Sequence, residues 1–214
     1  MKNKLFTLIS SMFLLMVFCS SCDDDDTQGG DCYFWSMGKK EALRTVKNKI
    51  MVVYPSDNED KLKEELAKNG LNLTNIQPDH TDYTQILNNT PETDNQTYTD
   101  CKKAVVKGNY KQIKSALPYT IGWSYYYWWV EKDWELIPSI VISLRLKNKD
   151  DMPRLEKLAK QKNVFLIGYS YFDTIQFACT KDSKCSALEM ANIFYESGLC
   201  EFSAPLFGGL GELH

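Results

Sequence analysis

The sequence predicts an α+β fold of two tandem units, each ordered strand, helix, strand, strand, helix, strand, with antiparallel sheets. The first observation is an internal repeat: KIMVVYPSDNEDKLKEELAKNGLNL is similar to SIVISLRLKNKDDMPRLEKLAKQKNVFLI. The second is that both copies pass from alternating apolar residues to an acidic turn and then to an apolar stripe at helical spacing. The match of EELAK to EKLAK places Leu66 opposite Leu158, and Ile50 opposite Ile142. This order predicts a ferredoxin-like fold for each copy.

The second copy shows each of these elements. Asp150 and Asp151 stand where a helix start favours acceptors and negative charge, and Gly198 suits a helix end. Ser183 and Ser186 are both candidates to cap the second helix. We expect Leu158, Leu188 and Phe194 to lie in helix–sheet cores, as Leu66 does in the first copy, and Pro205 to close the last strand. The strands are predicted at 140–146, 164–168, 174–180 and 199–205.

The first copy follows the same order less clearly. Its strands are predicted at 50–54, 71–76, 97–106 and 123–130, and its helices at 58–69 and 109–117. The polar stretch PDHTDYTQILNNTPETDNQ lies between the second and third strands and is rich in turn residues. It is predicted to be a long loop.

The chain begins with a segment typical of a bacterial export signal. Lys2 and Lys4 precede an apolar run that is too short to count as a spanning helix of the mature protein. Small residues before Cys22 favour lipoprotein processing at that cysteine, while an ordinary cleaved signal is the alternative. We therefore expect an exported protein, lipid-anchored through Cys22 to the cell envelope at the outer membrane. The predicted organisation is a signal at 1–21, an acidic tether at 22–31, units at 32–134 and 135–206, and a tail at 207–214.

Composition excludes several classes of partner. The formal charge is −3 for the full chain, and removal of Lys2 and Lys4 makes it more negative, so no basic stripe is left for nucleic acid. The chain has no CxxC pair and only two histidines, His80 and His214, so neither a metal site nor a cofactor is predicted. Nothing in the sequence specifies an oligomeric state.

Loss of Cys19 and lipidation of Cys22 leave an odd number of cysteines. Of these, Cys179 and Cys185 flank the short polar segment TKDSK and are the first candidates for a disulfide. Buried thiols are the alternative. The cysteines that remain are Cys32, Cys101, Cys179, Cys185 and Cys200.

The aromatic run WSYYYWWVEKDW falls on the last strand of the first copy. Alternation places Trp123, Tyr125, Tyr127 and Trp129 on one face. A contiguous exposed row of rings would suit a glycan or a peptide. The alternative is that both faces of this strand are buried, one against helices and the other against the second unit.

Two segments carry a resemblance to a known family. ALEMANIFYESGLCEFSAP resembles the segment just upstream of the catalytic domain in subtilisin-like serine proteases of Bacteroides-type bacteria, where ANLFYESG leads to FEFAEP. CYFWSMGKKEAL, at 32–43, resembles the motif that opens the mature N-terminal region of those proteins, and the similarity extends over about 33–206. The resemblance implies a prodomain, which acts as a folding chaperone and temporary inhibitor. In the family, the prodomain sheet packs on the enzyme and its tail lies in the substrate cleft.

The residues of a subtilisin-type active site are missing from the sequence. The Asp, His and Ser of such a triad occur in D-S/T-G, H-G-T and G-T-S-M contexts, and the chain has none of these. Asp173–Thr174 precedes Ile175 rather than glycine, and His80 sits in the polar segment PDHTD. The chain is therefore predicted not to be an enzyme.

Three hypotheses for function follow. The first is a non-catalytic lipoprotein that binds a subtilisin-like serine protease, as inhibitor or folding helper, through the sheet face of the second unit and the tail. The second is a surface glycan- or peptide-binding module that uses the aromatic strand at 123–134. The third is a truncated remnant of a secreted protease, because GGLGELH departs from the family's continuation. For the first hypothesis, the expected anchors are apolar and aromatic side chains: Phe202, Pro205, Leu206 and Phe207.

Overall fold

The computed structural model describes residues 32–87, 100–170 and 173–207. The strands are β1 (Cys32–Ser36), β2 (Lys39–Pro55), β3 (Leu73–Asp79), β4 (Cys101–Val106), β5 (Gly122–Trp129), β6 (Trp134–Leu136), β7 (Pro138–Leu146), β8 (Val164–Ser170), β9 (Thr174–Cys179) and β10 (Cys200–Phe207). The helices are α1 (Glu59–Ala67), α2 (Thr84–Leu87), α3 (Tyr110–Ile113), α4 (Met152–Gln161) and α5 (Ala187–Glu196). The predicted signal, Cys22 and the acidic tether lie outside the described residues, as does the tail from 208 onward.

The first sheet is built around β2. Its strands lie in the order β3-β4-β2-β5-β6, with β1 paired to the N-terminal half of β2. A bulge between Val46 and Ile50 interrupts the pairing of β2 with β5 and separates the two halves of β2. Every strand pair in this sheet is antiparallel.

The second sheet has the strand order β10-β7-β9-β8 and is also antiparallel throughout. Four strands of the first sheet correspond to the four strands of the second: in space they lie in the order β3-β4-β2-β5, and their counterparts lie in the order β8-β9-β7-β10. The two sets therefore have the same connectivity. The predicted α+β class with antiparallel sheets is confirmed. The two edges of the second sheet are β10 and β8.

The two sheets pack face to face, and helices α1, α3, α4 and α5 cover their outer faces, whereas α2 lies beside β8 and adds Ile86 to the core between the sheets. Alternation along each strand sends one set of side chains towards the helices and the other towards the opposite sheet. Met51 and Val53 of the first sheet share a buried cluster with Val141 and Ala178 of the second. The outer cores are separate clusters, one around α1 and α3 and one around α4 and α5. The result is four layers: helices, sheet, sheet, helices.

The first unit differs from its prediction at several places. The strand predicted at 50–54 is only the C-terminal end of β2, which begins at Lys39. The N-terminal half of β2 is rich in charged residues and is a strand because it pairs with β1 and β5. The helix predicted at 109–117 is a single α-helical turn followed by a separate 3-10 turn at Leu117–Tyr119. The predicted long loop begins as part of β3 and includes α2. Its remainder, up to residue 99, lies outside the described residues.

The repeat alignment holds for the strands and is wrong by one residue for the helices. Ile50 and Ile142 both face helices, as predicted. In α1 the buried residues are Leu62 and Leu66, whereas in α4 they are Leu155 and Ala159. Leu158 is only half-buried at the margin of its core. The cause lies between strand and helix: α4 begins ten residues after Ile142, whereas α1 begins nine residues after Ile50.

Phe194, which is 0% exposed, lies in the helix–sheet core of the second unit, as predicted. Leu188 is also buried, at 2% exposed, but it packs in a cluster with Phe34 and Leu43 of the first unit rather than in that core. The last strand of the second unit does not end at Pro205, as predicted, but continues to Phe207 with Pro205 buried inside it. Proline removes a donor from the ladder and is tolerated because β10 is an edge strand. Ser186 is the cap of α5, since its hydroxyl accepts from the Glu189 N–H and the Glu189 carboxylate accepts from the Ser186 N–H.

Candidate partner-binding edge

Strand β10 forms an exposed edge of the second sheet, because it pairs only with β7. Two of the predicted anchors on it reach solvent: Phe202 is 37% exposed and Leu206 is 39% exposed. The other two do not lie open, since Pro205 is buried and Phe207 is half-buried. An edge strand leaves one side of its backbone without a ladder partner and can accept a strand from another chain.

Phe202 lies beside a charged pair. Arg145, its cross-strand partner on β7, places its guanidinium 5.5 Å from the centre of the Phe202 ring. The same guanidinium pairs with Glu201 at 3.6 Å. Because neighbouring Leu144 faces the helices, Arg145 and Phe202 lie on the opposite face of the sheet. At this margin of the sheet, one guanidinium contacts both an aromatic ring and a carboxylate.

Most of that sheet face is already covered. Val141, Ala178 and Phe165 of the second unit pack against Met51 and Val53 of the first. The expectation that the whole sheet face of the second unit is open to a partner is therefore wrong for its centre. A partner can reach this face only at the β10 margin.

Phe207 holds the end of β10 against the first unit. Its ring lies 5.3 Å from the Phe34 ring of β1, centre to centre. Phe34 in turn contacts Trp129 at 5.2 Å, and both belong to a cluster with Leu43 and Leu188. Phe207 therefore packs against another part of this chain, and this contact fixes the position of the end of β10.

The rings of the predicted aromatic row on β5 pack against other parts of the same chain. Trp123 lies 4.9 Å from Tyr110 of α3, and Tyr125 meets Trp123 edge-on at 5.0 Å. Tyr127 is 1% exposed, and the Trp129 indole N–H donates to Glu41 at 3.3 Å. On the other face, Tyr126 is 1% exposed between the sheets. This is the arrangement of the alternative interpretation, in which both faces of the strand are packed.

The hairpin of β1 and β2 docks on α5, a contact that the sequence did not reveal. The Glu196 carboxylate accepts from the Tyr33 hydroxyl at 2.7 Å and from the Trp35 indole at 3.1 Å. The Asn192 amide donates to the Tyr33 carbonyl at 2.8 Å, and Trp35 stacks on Tyr195 at 5.0 Å. The two segments that carry the family resemblance are thus in direct contact.

A signal for this hairpin was present in the sequence. Met37 and Gly38 form its two-residue turn, with φ angles of 50° and 81°. Two positive φ angles are those of a type I′ turn, which normally carries Asn-Gly or Asp-Gly. The turn is hard to recognise in the sequence because its first position is methionine. Gly38, which stands between two runs of alternating residues, is the feature that indicates a hairpin.

Burial raises the pKa of the Cys101 and Cys200 thiols to about 12, which keeps them protonated. Among the described residues, no group of three or more His, Cys, Asp or Glu side chains is placed to hold a metal ion. No helix in the same ranges is long and apolar enough to cross a membrane.

Neither a protein-family model nor a curated protein matches the chain. Among solved structures, it is similar to the small subunit of acetolactate synthase from Thermotoga maritima, with 15% identity and a TM-score of 0.26. The match covers 73% of this chain and 90% of that one. A TM-score of this size supports no statement about function.

Proposed function

We propose that this protein is a non-catalytic envelope lipoprotein that binds a subtilisin-like serine protease, as an inhibitor or folding helper. The observation that carries the proposal is the exposed edge β10, where Phe202 and Leu206 reach solvent. This edge lies in the segment that resembles the junction between prodomain and protease. We further propose that residues 32–134 and 135–206 are two tandem ferredoxin-like units, which the matching strand connectivity supports.

The binding mode follows from the edge. A strand of the protease would pair with the outer side of β10, so that main-chain hydrogen bonds provide affinity. Phe202 and Leu206 would enter apolar pockets, since aromatic and apolar side chains carry most interface energy. Glycines at 208, 209 and 211 allow the following tail to approach a cleft closely.

The test is inhibition of a subtilisin-like protease from the same organism by fragment 28–214. Double substitution of Phe202→Ala and Leu206→Ala should weaken inhibition at least about tenfold, because two hot-spot side chains are lost. Tyr169→Ala is the matched control: Tyr169 is 70% exposed on the opposite edge, β8, and its loss should leave inhibition unchanged. Equal potency of all three proteins, or no inhibition by any, would refute the proposed edge.

A truncation separates the tail from the edge. It is placed after Phe207, because removal of that ring would also disturb the packing against Phe34. If the tail enters the cleft, fragment 28–207 should inhibit clearly more weakly than 28–214. Equal inhibition by the two fragments would restrict the contact to β10.

The proposed anchor at Cys22 is tested independently of binding. Cys22→Ser should release the protein from membranes or leave an unprocessed precursor, because the lipidated side chain is removed. Unchanged size and membrane fractionation of the variant would contradict lipidation.

A glycan- or peptide-binding module is the second candidate, supported by exposed rings at the β5–β6 hairpin. Trp134 is 56% exposed and lies 6.1 Å from Trp129, while Trp128 is 37% exposed. Trp134→Ala should abolish a fluorescence change on glycan addition if this hairpin is the site, and should leave protease inhibition unaffected. Absence of any glycan-dependent change in the unsubstituted protein would exclude this function for the glycans tested.

A further inference from the structure

Two thiols of the second unit lie in one core, at a place that protease binding does not use. Cys179 is the last residue of β9 and is 4% exposed. Cys185 immediately precedes the Ser186 cap of α5 and is half-buried against the same core. Both are thiols in the structure. The neighbouring Cys185 thiol, together with burial, raises the pKa of Cys179 well above its usual value, and the Cys185 thiol itself donates to the Met190 thioether at 3.8 Å.

The turn between the two cysteines is held in place by its own hydrogen bonds. The Ser183 N–H donates to the Thr180 carbonyl at 3.1 Å, and the Thr180 N–H donates to the Ser183 hydroxyl at 2.9 Å. The Ser183 hydroxyl also donates to the Asn163 carbonyl at 2.7 Å, and the Lys184 N–H donates to the Lys162 carbonyl at 2.9 Å. The chain therefore returns to the end of β9 without help from a cross-link. A disulfide needs neighbouring Cα atoms and convergent side chains, and this turn brings Cys185 back to the core cluster that contains Cys179.

We propose that Cys179 and Cys185 are a redox pair that is oxidised to an intramolecular disulfide in the compartment to which the protein is exported. The oxidant is a disulfide, of low molecular weight or carried by a thiol oxidoreductase. Cys185 is the point of entry because it is half-buried, whereas the Cys179 thiol is closed off. The pair is specific, since Cys101 belongs to the core between the sheets and Cys200 to β10.

The reaction balances as thiol–disulfide exchange. The Cys185 thiolate attacks the oxidant RSSR, forming a mixed disulfide and releasing one RS⁻. The Cys179 thiol then loses its proton and attacks the Cys185 sulfur, which releases the second RS⁻. The two protons of the cysteines end on two RSH molecules, so the protein loses two electrons and RSSR gains them. Because the pKa of Cys179 is raised, the second step is the slower one.

The cross-link would tie the end of β9 to the start of α5. Helix α5 carries Asn192 and Glu196, which hold the β1–β2 hairpin, so oxidation also secures the contact between the two units. A disulfide restricts the unfolded chain, and for this short loop the expected rise in melting temperature is about 5 °C. This inference is independent of protease binding.

The experiment uses the full chain, purified and equilibrated with oxidised or reduced glutathione, then alkylated under denaturing conditions. Trypsin cuts after Lys181 and Lys184, so the disulfide would join the peptide ending at Lys181 to the one beginning at Cys185. That second peptide also contains Cys200, and chymotryptic cleavage after Phe194 or Tyr195 separates the two cysteines. The expected result is a Cys179–Cys185 link in oxidised buffer, with Cys101 and Cys200 alkylated.

Two variants serve as matched controls. Cys185→Ser should fold, because the position is half-buried, and should lose both the link and the rise in melting temperature. Cys101→Ser should retain both. Full alkylation of Cys179 and Cys185 in oxidised buffer would overturn the proposal. Glutathione left on Cys185 alone, or a Cys185 link between two chains on a non-reducing gel, would overturn it equally.

Discussion

Burial decides the part that each hydrophobic residue plays, and it separates residues that look alike in the sequence. Leu155 and Leu158 lie on the same helix within one apolar stripe, yet Leu155 is 0% exposed while Leu158 is half-buried. The same distinction holds on β10, where Phe202 is open and Phe207 is packed. Residue type indicates what a side chain can do, and position in the layers determines what it does.

The first prediction compares the two leucines of α4. Leu155→Ala should reduce the free energy of unfolding by about 2–5 kcal/mol, because it leaves a cavity between α4 and the second sheet. Leu158→Ala should cost no more than about 1 kcal/mol, since the side chain lies at the margin of the core and is only partly buried. Urea unfolding of both variants measures the difference. Equal costs would contradict the observed register of α4.

At the scale of elements, the β1–β2 hairpin links the two units. It contributes Phe34 and Leu43 to a shared core, while Tyr33 and Trp35 of β1 form hydrogen bonds with α5. The hairpin is local in sequence, but its apolar face is buried only by contact with the second unit. Its stability therefore depends on residues far along the chain.

The second prediction tests this docking. Phe34→Ala should cost about 3–5 kcal/mol of unfolding free energy, because the ring is 6% exposed between Trp129 and Phe207. Met37→Ala, at the tip of the same hairpin and 106% exposed, should change stability by less than about 0.5 kcal/mol. Thermal and urea unfolding provide both values. A small loss for Phe34→Ala would mean that the hairpin does not contribute to the shared core.

The third prediction concerns pH and the ion pair that joins α1 to β4. Hydrogen bonds from Lys102, at 2.8 Å, and from Lys63 hold the pKa of Glu59 below its usual value. A lowered pKa contributes stability above the unfolded value of about 4.3, and this contribution is lost as the pH falls through the folded value. Glu59→Gln should therefore be less stable than the unsubstituted protein at pH 7, with the difference shrinking below about pH 4.

The control for this prediction is Lys102→Gln. Lys102→Gln should remove most of the same pH-dependent contribution to the free energy of unfolding. The double variant should be little less stable than either single variant, because both substitutions break the same interaction. Urea unfolding at pH 7, 5 and 3.5 measures these differences. If the difference in unfolding free energy between Glu59→Gln and the unsubstituted protein stays constant over this pH range, the lowered pKa of Glu59 is contradicted.

At the scale of the whole molecule, the facing sheets make the two units one cooperative body. The cluster between them contains residues from both sheets, including Met51, Val53, Val141 and Ala178. Neither unit could unfold alone without exposing this surface to water, at a cost of about 25 cal/mol for each Å² of apolar area. The units are therefore similar in connectivity and mutually dependent in stability.

The fourth prediction is a single unfolding transition. All five tryptophans lie in the first unit, so tryptophan fluorescence reports mainly on that unit, although Trp35 also stacks on Tyr195 of α5. Pulsed alkylation of Cys200, which is 1% exposed in β10, reports on the second unit when followed by peptide mass spectrometry. The two urea curves should coincide, because the shared core is lost in one step. Separated midpoints would show that the units unfold independently.

Periodicity and turn chemistry determined the α+β class and the repeat, because these depend on residues close together in the chain, whereas the choice of Ser186 over Ser183 as helix cap came from the structure. Only the tertiary structure decided what covers each strand face. Aromatic residues on both faces of β5 were compatible with an exposed row of rings or with two buried faces, because alternation carries no information about what packs on each face, so Tyr126 against the second sheet and Tyr127 against the hairpin had to be observed. The same holds for the docking of the hairpin on α5 and for the exposure of Phe202 at the sheet edge. Both depend on contacts between residues that are far apart in the sequence.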